Sequence, residues 1–161
     1  MLNRVGYPSL EQIKSCFPKE ELLHRAKAII ECFQEIPCNP CETSCPHQAI
    51  TIGEDINTPP KLNVDLCTGC GRCVYSCPGL AIKVVKLMDD TVRFTIPYEF
   101  LPVPQEKETW LAVNHQGVVI GEALIEKVQI SSRQDRTFLV RVLVDKKHLY
   151  DFAGIRRRDE R

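Results

Sequence analysis

The sequence predicts an α+β fold in three parts: a helical N-terminal arm over residues 1–33, a cysteine-rich unit over residues 34–87, and a small antiparallel β meander or partly closed barrel over residues 88–161. Three observations predict it. Eight of the nine cysteines fall between residues 32 and 77, in a repeated spacing. Apolar residues recur at helical intervals before this unit, and they alternate with polar residues after it.

The most specific pattern is the segment Cys67–Pro78, which reads C-x2-C-x2-C-x3-C-P. This spacing is typical of bacterial iron–sulfur sites. Three thiolates at intervals of three residues can wrap a loop around one face of a cubane, whereas the fourth points away from it. The segment therefore predicts an iron–sulfur site.

The same pattern occurs a second time, 32 residues earlier in the chain. The matched cysteines are Cys38, Cys41 and Cys45 in the first copy and Cys70, Cys73 and Cys77 in the second. Pro46 and Ala49-Ile50 match Pro78 and Ala81-Ile82 in the same register. One position does not match, because the residue 32 positions before Cys67 is Glu35. The unit is thus an internal repeat of two binding motifs.

Disulfides and zinc are the competing explanations for so many cysteines. The N-terminus Met1–Pro8 lacks the apolar core of a secretory signal, so we expect a reducing, cytoplasmic location in which disulfides are rare. Zinc sites usually take pairs of C-x2-C separated by a longer gap. Iron–sulfur chemistry is therefore the preferred interpretation.

The composition restricts the partners. No apolar run approaches the roughly 20 residues that span a bilayer, so membrane insertion is not expected. The formal net charge of +0 counts thiols as neutral. Two oxidised four-iron clusters would add about four negative charges, and the resulting acidic protein does not suit nucleic acid as its main partner.

Helical signals mark the N-terminal arm. Ser9 and Gln12 have the form of a capping box for a short helix over 10–15. Pro18 followed by acidic residues begins a second pattern, with apolar residues at helical spacing, which predicts a helix from Lys19 to Phe33.

Within the repeat we expect a short helical turn in each motif, followed by strands over 49–52 and 81–85, with a further strand over 62–65. After residue 88, strand patterns cover 92–96, 110–113, 118–130 and 137–144, with turns at 114–117 and 131–136. Pro97, Pro102 and Pro104 predict a stiff connection, and Gly121 predicts a bulge. A helical turn over 146–152 and a frayed tail at Arg156–Arg158 complete the prediction.

The two cysteine runs resemble those of bacterial-type two-cluster ferredoxins, over residues 32–87. In that family the fourth cysteine of each motif serves the other cluster. The resemblance implies a ferredoxin-like two-cluster domain with two [4Fe-4S] clusters. The first ligand set would be Cys45, Cys67, Cys70 and Cys73. The second would include Cys38, Cys41 and Cys77.

The fourth ligand of the second set is open, because Glu35 stands where the repeat predicts cysteine. Cys32 can supply a thiolate through a longer loop, the cluster can be [3Fe-4S], or Glu35 or solvent can take the position. We favour Cys32, since a carboxylate is a hard ligand that is less suited to this chemistry.

The remaining candidates carry no predicted chemistry. Cys16 is left over and is expected to be a buried or unpaired residue, and His47 is expected to be exposed. His24, His115 and His148 have no metal-ligand spacing. We find no nucleotide-binding glycine motif and no catalytic triad, so the sequence predicts no catalytic site.

A narrower resemblance rests on three stretches: Ile30–Cys41, Cys77–Ile82 and Ile96–Pro102. They are similar to small iron–sulfur subunits of FAD-dependent amino-acid or amine dehydrogenases of the proline, hydroxyproline and sarcosine type in anaerobes. This implies FAD-dependent oxidoreductase partners and a further iron–sulfur subunit. The expected function is single-electron relay between a flavoprotein and another acceptor. The alternatives are a free soluble ferredoxin and an iron–sulfur redox sensor.

Overall fold

A computed structural model describes residues 5–158 of the chain. The α-helices in this range are α1 (Leu10–Ser15), α2 (Pro40–Thr43) and α3 (Arg72–Ser76). Short 3₁₀ helices span Glu20–His24 and Lys146–His148. The strands are β1 (Lys27–Ile30), β2 (Ile50–Thr51), β3 (Lys61–Leu62), β4 (Ile82–Leu87), β5 (Thr91–Tyr98), β6 (Thr109–Val113), β7 (Val119–Gln129), β8 (Phe138–Asp145) and β9 (Gly154–Arg156).

A seven-stranded sheet in the order β1-β4-β5-β8-β7-β6-β9 organises the molecule, and β2 and β3 form a separate pair. All strand pairs are antiparallel. The alternation in β5 buries Val92, Phe94 and Ile96 on one face, where Phe94 stacks on Phe152 with ring centroids 4.5 Å apart. The predicted α+β class is confirmed.

The helix predicted from Lys19 to Phe33 is wrong. A 3₁₀ helix ends at His24, and residues 27–30 form β1, which pairs with β4. Ala28 and Ile29 are both almost fully buried, so the strand has apolar neighbours on both of its faces. A short strand buried on both faces cannot be told from a helix by apolar spacing alone, which explains the error.

The other predicted elements are largely confirmed. Ser9 and Gln12 form the capping box of α1. The predicted strands occur as β4 to β8, and the turn at 114–117 joins β6 to β7. The β3 strand lies slightly earlier than predicted. The β6–β7 pairing shifts register beside Gly121, where an added Cβ would lie 3.1 Å from His148 Nε2.

Two predictions in the C-terminal segment are wrong. Pro97 belongs to β5 instead of starting a connection. Strand β4 pairs with β5 only as far as Thr95, so at Pro97 one edge of β5 has no hydrogen-bonding partner strand. Proline, which has no backbone N–H, is tolerated at such an edge. Arg156 is the last residue of β9, and Arg158 forms an ion pair with Glu122, so these two residues are held against the sheet instead of forming a frayed tail.

The large sheet takes β1 from residues 1–33, β4 from residues 34–87 and the remaining strands from residues 88–161. Strands β6, β7 and β8 are consecutive neighbours, as in the predicted meander, and they belong to the same sheet as β1 and β4. The division into three domains stays a prediction. Residues 1–4, on which the predicted lack of a signal partly rests, lie outside the described residues, as do residues 159–161. Between residues 5 and 158, no helix has the length and apolar character needed to cross a bilayer.

Candidate iron–sulfur sites

Two cavities lie on the cysteine-rich side of the sheet, and each is lined by four cysteines. The first, here called site 1, is lined by Cys45, Cys67, Cys70 and Cys73. Cys45 comes from the first sequence motif and the other three from the second. The structure thus brings together the four side chains that the crossed pattern predicted for one cluster.

The second cavity, here called site 2, is lined by Cys32, Cys38, Cys41 and Cys77. Cys77 crosses to this cavity from the second motif, which mirrors the position of Cys45 in site 1. Cys32 occupies the place for which the repeat offers only Glu35. Glu35 itself is exposed and is absent from the residues that line either cavity.

The two crossing cysteines are held by the same local turn. Three residues after each of them the backbone is left-handed, with φ of 50° at Gln48 and 51° at Leu80. This turn brings the next amide back to the sulfur: Ala49 N donates to Cys45 Sγ at 3.3 Å, and Ala81 N donates to Cys77 Sγ at 3.4 Å. Such N–H···S bonds stabilise thiolate ligands of a cluster and tune its potential.

Strand β1 supports site 1 from the sheet. Ala28 N donates to Cys67 Sγ at 3.4 Å. The buried Lys27 places its Nζ 2.7 Å from the carbonyl oxygens of both Val64 and Cys67, and so it ties the loop of the second motif to the sheet. The sequence analysis missed Lys27 because it placed the residue in a helix; a lysine inside a strand-like apolar run is the signal that would have found it.

Two glycines shape the site 1 loop. Gly69 has φ of +68°, and a Cβ there would lie 2.5 Å from Ala26 Cβ, well inside contact distance. Gly71 is the left-handed N-cap of α3, with φ of 81°. The loop can therefore pass close to the start of β1 only with glycine at position 69.

The pKa values of three cavity thiols are raised, both by burial and by other cysteines of the same cavity. Burial raises the pKa of the Cys73 thiol to about 12, and the nearby Cys67, Cys70 and Cys45 add to the effect. Burial, followed by Cys77, raises the pKa of Cys41 to about 11, and the pKa of Cys32 is raised by burial and then by Cys77. Each thiol is thus affected by members of its own cavity, across the two motifs. Thiolates are disfavoured here until a metal compensates their charge.

The residues present fit iron–sulfur clusters. All nine cysteines are free of disulfides, and the eight around the cavities are soft sulfur donors, with amide N–H groups directed at Cys45, Cys67 and Cys77 among them. In the part of the chain that the structure describes, no three His, Cys, Asp or Glu side chains are grouped to hold a single metal ion. A cubane is much larger than an ion, and its thiolates stand further apart.

The remaining candidate residues lie outside this ligand set. Cys16 packs against the sheet core and lines neither cavity. His47 lines site 1 and is exposed, and His24 is exposed. His148 is buried beside Gly121, and His115 pairs with Glu31. The sequence analysis gave Glu31 and His115 no role, since no short motif joins positions 84 residues apart.

The cysteine-rich unit is similar in sequence to known iron–sulfur proteins. Residues 36–89 match the family of 4Fe-4S dicluster domains. The chain is 33% identical over 74 residues to the ferredoxin-type protein NapF of Haemophilus influenzae, an alignment that covers 42% of each chain. It is 40% identical over 52 residues to NapF of Escherichia coli, covering 31% of this chain and 32% of that protein.

A third relative is a component of the Na⁺-translocating ferredoxin:NAD⁺ oxidoreductase complex of Acetobacterium woodii, which is 50% identical over 45 residues that cover 28% of this chain and 13% of that component. The chain spans less than half the length of each of these relatives. No solved structure matches. The chain therefore contains a 4Fe-4S dicluster domain, and the domain match begins after Cys32.

Proposed function

We propose that this protein is an iron–sulfur electron-transfer subunit with two [4Fe-4S] clusters, which relays single electrons between an FAD-dependent oxidoreductase and another acceptor. The observation that carries the proposal is the pair of cavities, each lined by four cysteines drawn from both motifs. Cys45, Cys67, Cys70 and Cys73 are the proposed ligands of site 1. Cys32, Cys38, Cys41 and Cys77 are those of site 2.

When bound, such clusters supply one-electron chemistry over a wide range of potentials. The protein residues bury the sites and direct amides at the ligand sulfurs. Lys27 adds a buried positive charge beside the Cys67 carbonyl, which favours a negatively charged ligand set in site 1. Both sites have apolar linings, with Ile50 and Val84 at site 1 and Ile30 and Ile82 at site 2, so the charge of Lys27 is the difference between them. We therefore propose that site 1 has the higher potential of the two.

The subunit role is supported by the part of the chain outside the domain match. Residues 90–158 supply five strands of the large sheet and line neither cavity with a cysteine. Phe100 and Leu101 lie 69% and 87% exposed in this segment, and exposed apolar patches mark contact surfaces. A relative that is itself part of an oxidoreductase complex also favours a subunit role. The FAD-dependent partner and a further iron–sulfur subunit rest on the sequence resemblance.

The test is to tag the chain in its native cells and purify it without oxygen. We expect about eight irons per chain, from two four-iron clusters. We also expect a co-purifying chain with bound FAD whose substrate bleaches the cluster absorbance. A monomer that carries both clusters and elutes without flavin would instead support a free ferredoxin. Partner binding that changes with exposure to air would support a redox sensor.

A further inference from the structure

A buried ion-pair network lies beside site 2. Glu31 Oε1 is 2.8 Å from Lys83 Nζ, and Glu31 Oε2 is 2.8 Å from His115 Nε2. The three side chains are only 13%, 6% and 15% exposed. Burial alone would raise the pKa of Glu31, but the hydrogen bond from His115 and the charge of Lys83 outweigh it and lower the pKa. Glu31 is therefore a carboxylate held from two sides.

The network joins three separate parts of the fold. Glu31 directly follows β1, Lys83 lies in β4, and His115 lies in the turn between β6 and β7. Lys83 Nζ also donates to the carbonyl oxygen of Phe152 at 2.8 Å. The backbone N–H of Glu31 donates to the carbonyl oxygen of Ala81 at 2.8 Å, so main chain and side chain hold the same residue.

Buried ion pairs of this kind are weak sources of net stability, because desolvation offsets the attraction between the charges. Removing only one partner of such a pair nevertheless destabilises the protein, because the other charge is left buried without a partner. Where such networks occur, the best supported role is to impose one particular arrangement of the chain. If Glu31 is fixed in this way, the positions open to its neighbours in the chain are restricted most.

Cys32 is the site 2 residue nearest to the network along the chain. It directly follows Glu31 and lines site 2. Residues 31–33 form no strand or helix, and Cys32 lies outside both the repeat and the matched dicluster domain. Cys38 and Cys41, by comparison, lie just before α2 and within it, and Cys77 is held by the turn that the repeat provides. Cys32 is thus the one cysteine of site 2 that the repeat does not place, and its local support is a backbone hydrogen bond from Gln34.

We propose that Glu31, clamped by Lys83 and His115, is a positioning residue that holds Cys32 against site 2 and thereby decides whether this site keeps four irons or three. The inference rests on the proposed function, in which Cys32 is a ligand. Without the clamp, the iron held by Cys32 becomes removable. Its loss is written [4Fe-4S]²⁺ → [3Fe-4S]⁺ + Fe²⁺ + e⁻, where ferricyanide accepts the electron.

The experiment compares the holo-protein with Glu31→Ala under stepwise anaerobic addition of ferricyanide. The readouts are irons per chain and the electron paramagnetic resonance signal of [3Fe-4S]⁺. We expect the unsubstituted protein to keep about eight irons over a range in which Glu31→Ala falls to about seven and gains one three-iron signal per chain. His115→Ala, which removes one side of the clamp, should lie between them.

Glu126→Ala is the matched control, because Glu126 also pairs with two cations, Arg93 and Arg141, but lines neither site. It should behave like the unsubstituted protein. If Glu31→Ala does not fold, Glu31→Gln keeps the side-chain volume and one acceptor, and it should lose the iron at an intermediate amount of oxidant. The reduced four-iron signal of site 1 reports in each variant that the fold is intact.

Cys32→Ala distinguishes failure of the ligand assignment from failure of the positioning role. A Cys32→Ala protein that keeps about eight irons under oxidation would overturn the ligand assignment in the proposed function. If Cys32→Ala yields the three-iron cluster whereas Glu31→Ala and Glu31→Gln resist oxidation as well as Glu126→Ala does, the ligand assignment stands and the positioning role of Glu31 is wrong.

Discussion

Gly69 lies in the site 1 loop at a point where the chain has no room for a side chain. A residue with a side chain would destabilise the folded protein by about 1–2 kcal/mol in this left-handed backbone conformation, with φ of +68°. A steric clash would add to this, because the new Cβ would lie 2.5 Å from Ala26 Cβ. We therefore predict that Gly69→Ala destabilises site 1, with a lower iron content and an earlier loss of visible absorbance on heating.

Gly53→Ala is the control for this substitution. Gly53 has φ of +97° but nothing within 4 Å of an added Cβ, so only the backbone cost applies there. If both variants lose iron and thermal stability equally, the close approach to Ala26 has no part in holding the loop.

Cys16 should be a slow thiol in the intact protein. Burial, with a further contribution from the negative charge of Glu31, raises its pKa from 9.0 to about 11. Because only the thiolate reacts, its alkylation at pH 8 should be about a hundredfold slower than that of an unperturbed thiol, and should rise about tenfold per pH unit up to about pH 10.

Mass spectrometry of the iodoacetamide-treated holo-protein measures this rate, with an unstructured cysteine peptide as reference. Labelling of Cys16 at the peptide's rate would show that its surroundings are open to water. Loss of either cluster during labelling would show that a ligand thiol had reacted as well.

The residue scale also shows where sequence reasoning succeeds. The resemblance of the two cysteine runs to two-cluster ferredoxins predicted how seven of the cysteines divide between the two cavities. Cys32 was favoured separately, because the repeat offers Glu35 and no cysteine at that place. Lys27, Glu31 and His115 were not predicted to matter. Their partners are 37 to 84 residues away in the chain, and only the folded sheet brings them together.

At the scale of elements, the two motifs exchange one cysteine each. Cys77 follows α3, yet it lines the cavity of the first motif, and Cys45 follows α2 and lines the cavity of the second. We predict that Cys77→Ala removes the site 2 cluster or reduces it to three irons, while site 1 keeps its four-iron signal.

Cys45→Ala is the reciprocal variant and should damage site 1 while sparing site 2. Both proteins are examined by electron paramagnetic resonance after reduction and after oxidation, together with irons per chain. If each substitution damages the cluster of its own motif, the exchange of ligands between motifs is wrong.

Secondary-structure prediction was least successful for β1, a strand that is buried on both of its faces. Strand β5 shows apolar and polar residues in alternation, and β6 to β8 are rich in branched and aromatic residues; these two patterns predicted the strands correctly. Ala28 and Ile29 are neighbours in β1 and both are buried, so no alternation is visible. The preceding Leu22 and Leu23 then completed a spacing that also fits a helix.

At the scale of the whole molecule, the cysteine-rich unit shares its sheet with the C-terminal segment. Strand β4 lies between β1 and β5, and Val85 and Leu87 pack in one core with Phe94. We predict that a chain ending at residue 87 loses this core and does not retain its clusters. Iron content and circular dichroism measure the result.

A chain that ends after Arg156 keeps the nine strands that the structure describes and is the control; it should carry about eight irons. Should the chain ending at residue 87 also hold both clusters with the absorbance of the full protein, residues 1–87 would fold without the C-terminal segment, as the predicted domain division implies. The sharing of one sheet could not be predicted, because strand pairing between distant segments leaves no local pattern.

The exchange of cysteines between the motifs also has a consequence for biosynthesis. While the chain is leaving the ribosome, Cys38, Cys41 and Cys45 emerge together, but they belong to different cavities. Site 1 has its full set of thiols only once Cys73 has emerged, and site 2 only once Cys77 has. The first half of the nascent chain therefore holds no complete set of four thiols, and both sets are completed at nearly the same moment of synthesis.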